Sequence, residues 1–480
     1  MKKMMKKVMA VVLSGVMALS MVACGGKDVD NDIEDKWWKT TGEVEKDSEG
    51  NVVFDNVNIA LSTIVMGADK EAFNNLVAKF NAEYTGKIYV TVTNVSQNSF
   101  DETVASQITR DSNAPDLIMT HQKRLKSLAD MKLLQPFEDS FELSGIEISM
   151  NDFTGNMAEY ADLGYENYTY GIPVDAQSCV VYYNKQLLNK YGGEIPKNHE
   201  ELIALSEKVA KEEGITPIAI STEDDFFADY VFNTAILQNG GKLYGDDYRA
   251  NWYDDESNKQ AFKDAITSIR DLTEHSPKLA TYGWGSSAAL NEFLNNRALF
   301  FVSMPWFLTD VMEGYASTNG GTIESVMSEN VGMTSMASWF ALDKQQETAE
   351  QIYGDSHFFA MSTTVEKAEV KAAICEFIRW YTTNVEVGTT WAEAGHVSVS
   401  TVILTDPNYN SNNVVKNYVN NFYSDMSNFQ CIGETPYFKD MNEALKQLFV
   451  DAMKDGSSGD EDNIKEAQDN LNTKIDFIGM

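Results

Sequence analysis

The 480 residues carry 38 lysines and arginines against 72 aspartates and glutamates, a formal net charge of −34. A surface this acidic repels nucleic acid and anionic headgroups and argues against polyanionic ligands. With 43% hydrophobic and 11% aromatic residues, the chain has the composition of a packed globular protein, which excludes wholesale disorder.

The chain opens MKKMMKKVMAVVLSGVMALSMVACGG. Lys2, Lys3, Lys6 and Lys7 precede an apolar run from Val8 to Ala23 that is too short to span a bilayer, the pattern of a secretory signal. The ending Met21-Val22-Ala23-Cys24 resembles the lipobox of bacterial lipoproteins, in which the cut falls before the cysteine and its thiol is lipidated. The resemblance implies a signal peptide over 1–23 and a membrane anchor at Cys24, with the rest of the chain outside the cytoplasm. Residues 24–55 are acidic and low in aliphatics, and read as a solvated tether. Trp37-Trp38 is odd there and is expected to dock on the folded body or on the membrane interface.

The body opens with VNIALST (57–63), whose alternation predicts a strand. In the next segment, 69–84, Phe73, Leu76, Val77 and Phe80 recur at helical spacing, with Asp69 placed as N-cap. A strand (87–95), a helix (100–111) and a short apolar strand (114–120) follow. That order predicts parallel pairing and an α/β lobe. The middle repeats the theme with strands at 178–185 and 216–221 and helices at 199–214 and 226–241. Further helices are predicted over 256–275, 287–296, 366–384, 437–454 and 461–478, with GSSGDEDN (456–463) as a surface turn. Roughly 425 residues beyond the tether are too many for one core, so two lobes are expected.

Local chemistry is sparse. G-x-S-x-G, the P-loop, G-x-G-x-x-G and H-E-x-x-H are all missing from the sequence. Besides Cys24 there are Cys179, Cys375 and Cys431, enough for one disulfide at most, and no C-x-x-C pair. Histidines 121, 199, 275, 357 and 396 are scattered, so a zinc site would have to gather ligands from distant segments. No metal and no cofactor are expected.

Several segments, in order over about 57–478, resemble bacterial extracellular solute-binding proteins of the carbohydrate-uptake kind, the receptors of ABC importers. SNAPDLIMTHQKRLKSLADMKLLQPFED (112–139) is similar to the family's P-D-[IV]-[IV] strand, helix and Leu-Leu-x-Pro turn. YGIPVDAQSCVVYYNK (170–185), followed by PKNHEELI (196–203), is the most specific stretch. LNEFLNNRALFFVSMPWFLTDV (290–311) resembles the strand that leads to Pro-Trp, with Asn296-Arg297 where Gly-[KR] is usual. Residues 357–383 and 391–409 resemble the late segments.

The resemblance implies an α/β fold of two lobes, type II periplasmic-binding-protein-like, with the ligand closed between them. Lobe 1 is expected over 56–176 plus 357–397, and lobe 2 over 177–356 plus 398–480. The crossings are expected at Pro173–Val181, His357–Thr363 and His396–Thr401. The implied function is capture of a mono- or oligosaccharide, without catalysis, for delivery to a permease by a monomer.

Sugar recognition needs aromatic faces and fixed polar groups. Trp306 matches the family's cleft tryptophan, and Trp284 and Trp339 lie in loop-like stretches. Asp175 follows a crossing strand, where it could accept sugar hydroxyls. Thr120, His121 and Gln122 end a strand at the carboxyl edge, with His121 the chosen contact. Asp225 and Phe226 open a helix, and Tyr437 follows Thr435-Pro436. Trp252, Trp380 and Trp391 read as packing. The alternatives are a receptor for an amino acid, peptide or polyamine, or a surface glycoside hydrolase built on two carboxylates.

Overall fold

The computed structural model describes residues 36–67, 69–165, 167–221, 227–276, 286–419, 428–431 and 435–478. A six-stranded sheet in the order β2-β1-β3-β12-β4, with β5 beside β12, underlies the first lobe. Its strands are β1 (Val57–Thr63), β2 (Ile88–Asn94), β3 (Leu117–His121), β4 (Leu134–Gln135), β5 (Ile172–Pro173) and β12 (His357–Ser362). β1 pairs parallel with both β2 and β3, as a strand–helix–strand order requires, whereas β12 returns antiparallel to β3. The alternation of β1 buries Val57, Ile59 and Leu61. Helix Asp69–Glu83 lays Phe73, Leu76, Val77 and Phe80 against that sheet. Burying such a side chain contributes about 1.5–3 kcal/mol.

The second lobe is built on a four-stranded sheet, β10-β7-β9-β8. Its members are β7 (Val180–Asn184), β8 (Ile218–Ile220), β9 (Phe300–Ser303) and β10 (Val331–Thr334). Helix His199–Glu213 starts at Asn198, whose side chain accepts from the Glu201 amide at 2.9 Å, and ends at Gly214 with φ 67°. The expected helix 226–241 is a π-wound turn, Phe227–Phe232, continuing into an α-helix at Asn233–Gln238. Helix Asp460–Ile478 begins inside GSSGDEDN, one residue before the expected start at 461, with three acids in its first turn. Asp460 is buried and held by Arg270, Nη1 lying 2.7 Å away.

Two-stranded ribbons link the lobes: β6 (Asp175–Ala176) with β13 (Val397–Ser398), and β11 (Ile352–Tyr353) with β14 (Phe429–Gln430). The first expected crossing runs as β5-β6-β7. The return lies at 353–357 rather than inside 357–363, because His357 already pairs with His121 in the first sheet. The changeover expected at 398 is also displaced. Ile403 and Tyr409 pack with Ala392 on the first-lobe side, and the chain meets the second lobe from Val414 to Tyr418, whose hydroxyl donates to Val331 O at 3.1 Å.

The described part of the expected tether, 36–55, is not free. Trp38 is buried, its indole N–H donating to Asp139 at 3.1 Å, and Trp37 stacks on Tyr170 and donates to Leu134 O. The Thr41 amide then donates to Glu366 O at 2.7 Å. Residues 36–41 thus dock on the first lobe through apolar faces with both indole donors satisfied. Cys179, Cys375 and Cys431 are free thiols.

Candidate functional site

Where the crossings meet, a cavity of about 900 Å³ opens between the lobes. Its floor is the junction of β5-β6-β7, β12 and β13, with Gln177 bridged to Asp355. His121, at the end of β3, His357, at the start of β12, and His396, before β13, all face this cavity. Trp306 lines it from the second lobe, in the short helix Pro305–Phe307 that follows β9.

Asp175 organises the floor and is itself fully buried. Oδ1 accepts the His357 backbone N–H at 2.8 Å. Oδ2 accepts from His357 Nδ1 at 2.8 Å and from Trp391 Nε1 at 2.7 Å. His396 Nδ1 lies 3.5 Å from the same oxygen, and His396 Nε2 lies 3.1 Å from Asp69 Oδ2. Burial opposes both charges of the Asp175–His357 pair, but their attraction outweighs it, holding the carboxyl below and the imidazole above its usual range. His121 goes the other way. Burial, then the positive field of His357 and Lys123, pushes its imidazole well below the ordinary value, leaving it neutral and able to accept the Gln177 amide at 3.0 Å.

Beside the histidines, Lys123 crosses between the lobes. Its ammonium sits 2.5 Å from Asp229 on the π-wound turn and 3.1 Å from Asp355, over the Tyr230 ring. Burial lowers the basicity of Lys123, but Asp229 and Asp355 overcome this and raise it. Lys439 reaches Glu102 at 2.8 Å, and the Arg124 guanidinium lies over Phe438, so three contacts join the lobes along one rim.

Trp306 completes an aromatic stack. Trp391 lies parallel to His396 with ring centroids 4.2 Å apart, and Trp306 lies near-parallel at 6.0 Å. Gly395 makes this approach possible. At φ +94°, an added Cβ would sit 2.6 Å from the Pro305 carbonyl carbon and 2.7 Å from the Trp306 nitrogen. Backbone cannot yield as a side chain does. Gly395→Ala should therefore cost about 1–3 kcal/mol and part Trp306 from His396, read as a lower thermal midpoint and altered tryptophan fluorescence.

Among the residues expected at the site, the structure brings Trp306 and His121 to the cavity. Asp175 lies beneath it, fully buried with both carboxylate oxygens accepting from protein donors, so it orients His357 and Trp391 rather than offering a free oxygen to sugar hydroxyls. Trp339 is a correction: it is 1% exposed in the second core, edge-on to Phe300, with its indole N–H donating to Pro196 O. Tyr437 is half-buried against the same core, and its neighbours Phe438 and Lys439 line the cavity instead. Thr120 is buried in β3. Asp225, Phe226, Trp284 and Cys24 lie outside the described residues.

Sequence reasoning missed His357, His396, Lys123, Asp229 and Asp355. The usable signal was position, since His357 and His396 open two of the expected crossings. Nothing local marks Lys123, which is one of several cations in helix Gln122–Asp130.

Comparison with known proteins places this geometry. Residues 67–387 match the family described as bacterial extracellular solute-binding protein. An uncharacterized ABC transporter extracellular-binding protein of Pyrococcus horikoshii is 26% identical over 234 residues, 47% of this chain and 50% of that one. The chain thus matches about half the length of that curated relative.

Among solved structures, the GacH receptor of Streptomyces glaucescens, determined unliganded and with acarbose, aligns with a TM-score of 0.66 at 18% identity. The alignment covers 88% of this chain and 97% of that one. Maltose-bound T. maritima MalE3 gives 0.65 at 16% identity over 87% and 99%. The cyclic alpha-maltosyl-1,6-maltose binding protein of Arthrobacter globiformis gives 0.63 at 17% over 87% and 98%. At these identities the likeness establishes the two-lobed fold.

Proposed function

The chain belongs to the bacterial extracellular solute-binding protein family, and from that premise we propose that it is a receptor that captures a carbohydrate between its lobes and delivers it to an ABC permease. The observation that carries the proposal is Trp306. Its indole lines the inter-lobe cavity while stacking on His396, a fixed aromatic face of the kind that covers the C–H face of a sugar ring. His121 and Gln177 beside it supply polar groups for hydroxyls. The structural relatives lend support: one was determined with acarbose, one is maltose-bound and one is a cyclic alpha-maltosyl-1,6-maltose binding protein. In this reading the protein performs no chemistry, works as a monomer outside the cytoplasm and is held to the membrane by lipid on Cys24.

The test is thermal melting against mono- and oligosaccharides, amino acids and polyamines. A ligand at ~100 times its Kd adds about 2.7 kcal/mol of stability, a rise of a few degrees. A rise with saccharides alone supports the proposal. A rise only with amines or amino acids overturns the ligand class while keeping the receptor, and a saccharide consumed during the assay overturns the receptor.

A further inference from the structure

We propose that Asp175, His357 and His396 form a binding site for a divalent transition-metal ion at the base of the inter-lobe cavity, with its open side towards solvent or solute. Among the described residues this is a cluster whose ligand atoms, one carboxylate oxygen and two imidazole nitrogens, all lie within 4.8 Å of one another. A shared ion at ordinary bond lengths sets neighbouring ligands about 3.0–3.4 Å apart. The Asp175 oxygen is 2.8 Å from His357 Nδ1 and 3.5 Å from His396 Nδ1.

The surroundings hold each ligand as a metal site requires. His396 donates Nε2–H to Asp69, because a carboxylate accepts and does not donate, and this fixes the tautomer with the lone pair at Nδ1. That nitrogen belongs to a residue 1% exposed and makes no hydrogen bond. It faces a carboxylate oxygen, so two lone pairs oppose each other unless a cation stands between them. Asp175 is oriented by the His357 backbone N–H and by the Trp391 indole. His357 and His396 both border the cavity, which leaves the remaining coordination positions to water or to oxygens of a solute. Two imidazoles and one carboxylate with open positions suit Zn²⁺, Co²⁺ or Fe²⁺. Binding displaces the Nδ1 proton of His357, so uptake releases a proton.

The test uses the metal alone, so its outcome is independent of which solute the cavity takes. Chelator-treated protein is titrated with Zn²⁺ by calorimetry and with Co²⁺ by visible absorption, and the zinc complex is examined by X-ray absorption. The expected result is one equivalent bound, two imidazoles and an oxygen in the shell, and at least a hundredfold weaker binding in His357→Gln and His396→Gln. His275→Gln, away from the cavity, should bind as the parent does. No uptake at millimolar Zn²⁺, or a shell of thiolate or oxygen alone, overturns the site. So does uptake undiminished in both folded variants, and the cluster is then a hydrogen-bonded brace whose cation is a proton. Should either variant fail to fold, the absorption spectra of the parent protein decide.

Discussion

Replacing Lys123 with alanine should destabilise the protein by about 3–5 kcal/mol, the expected loss when one partner of a buried ion pair is removed. The reason is the company it leaves. Asp355 has a side chain 1% exposed, and Asp229 one 15% exposed. Both lie within 3.1 Å of the ammonium, and without it two carboxylates face each other out of water. Burial, with the repulsion of Asp229, already holds the Asp355 carboxyl above its ordinary range even with the lysine present. Denaturant titration of Lys123→Ala and of the size-matched Lys123→Met should give similar losses, because charge rather than packing is at stake. Adding Asp229→Asn to either variant should recover part of the loss. Equal stability of parent and variant would mean that water reaches this junction and that the three groups are independently solvated.

Trp306→Ala should weaken carbohydrate binding by about 2 kcal/mol, or roughly 30-fold in Kd, while leaving the melting temperature of the free protein within a few degrees. The two effects separate because the indole is only half-buried: one face is on His396 and the other is on the cavity. Trp391→Ala makes the contrast. Its ring is 1% exposed and donates to Asp175, so its loss should be felt first in stability. Calorimetry with the tightest saccharide found by melting, run beside a melt of each variant, distinguishes a ligand platform from a core residue. Unchanged affinity in Trp306→Ala would assign the sugar-facing role to another side chain.

Periodicity was a good guide wherever one face of an element meets one core. Phe73, Leu76, Val77 and Phe80 state their helix locally, and β1 announces itself by alternation. Where an element answers to two neighbours, the local pattern was blind. The π-wound turn at Phe227–Phe232 carries Asp229, which pairs with Lys123 from the other lobe, a residue far away in sequence. The site is the extreme case. Asp175 and His357 are 182 residues apart, and no spacing rule joins them. Family resemblance supplied the crossings that bring them together, but not the identity of the histidines. Tryptophan type alone could not separate Trp306 from Trp339, since both are apolar rings beside turns. What separates them is that Pro196 and Phe300 close over one, whereas the other is half-buried and lines the cavity.

The docked segment at residues 36–41 has a mechanical consequence. Trp37 and Trp38 fasten it to the β4 edge and to Asp139, and Thr41 fastens it beside helix Ala368–Thr383, all on the first lobe. Any pull arriving along the chain from upstream is therefore taken up by that lobe and bypasses the floor of the cavity. If the lobes close on a solute as a hinged pair, the first lobe would be the held arm and the second, which carries Trp306 and Lys439, the arm left to turn.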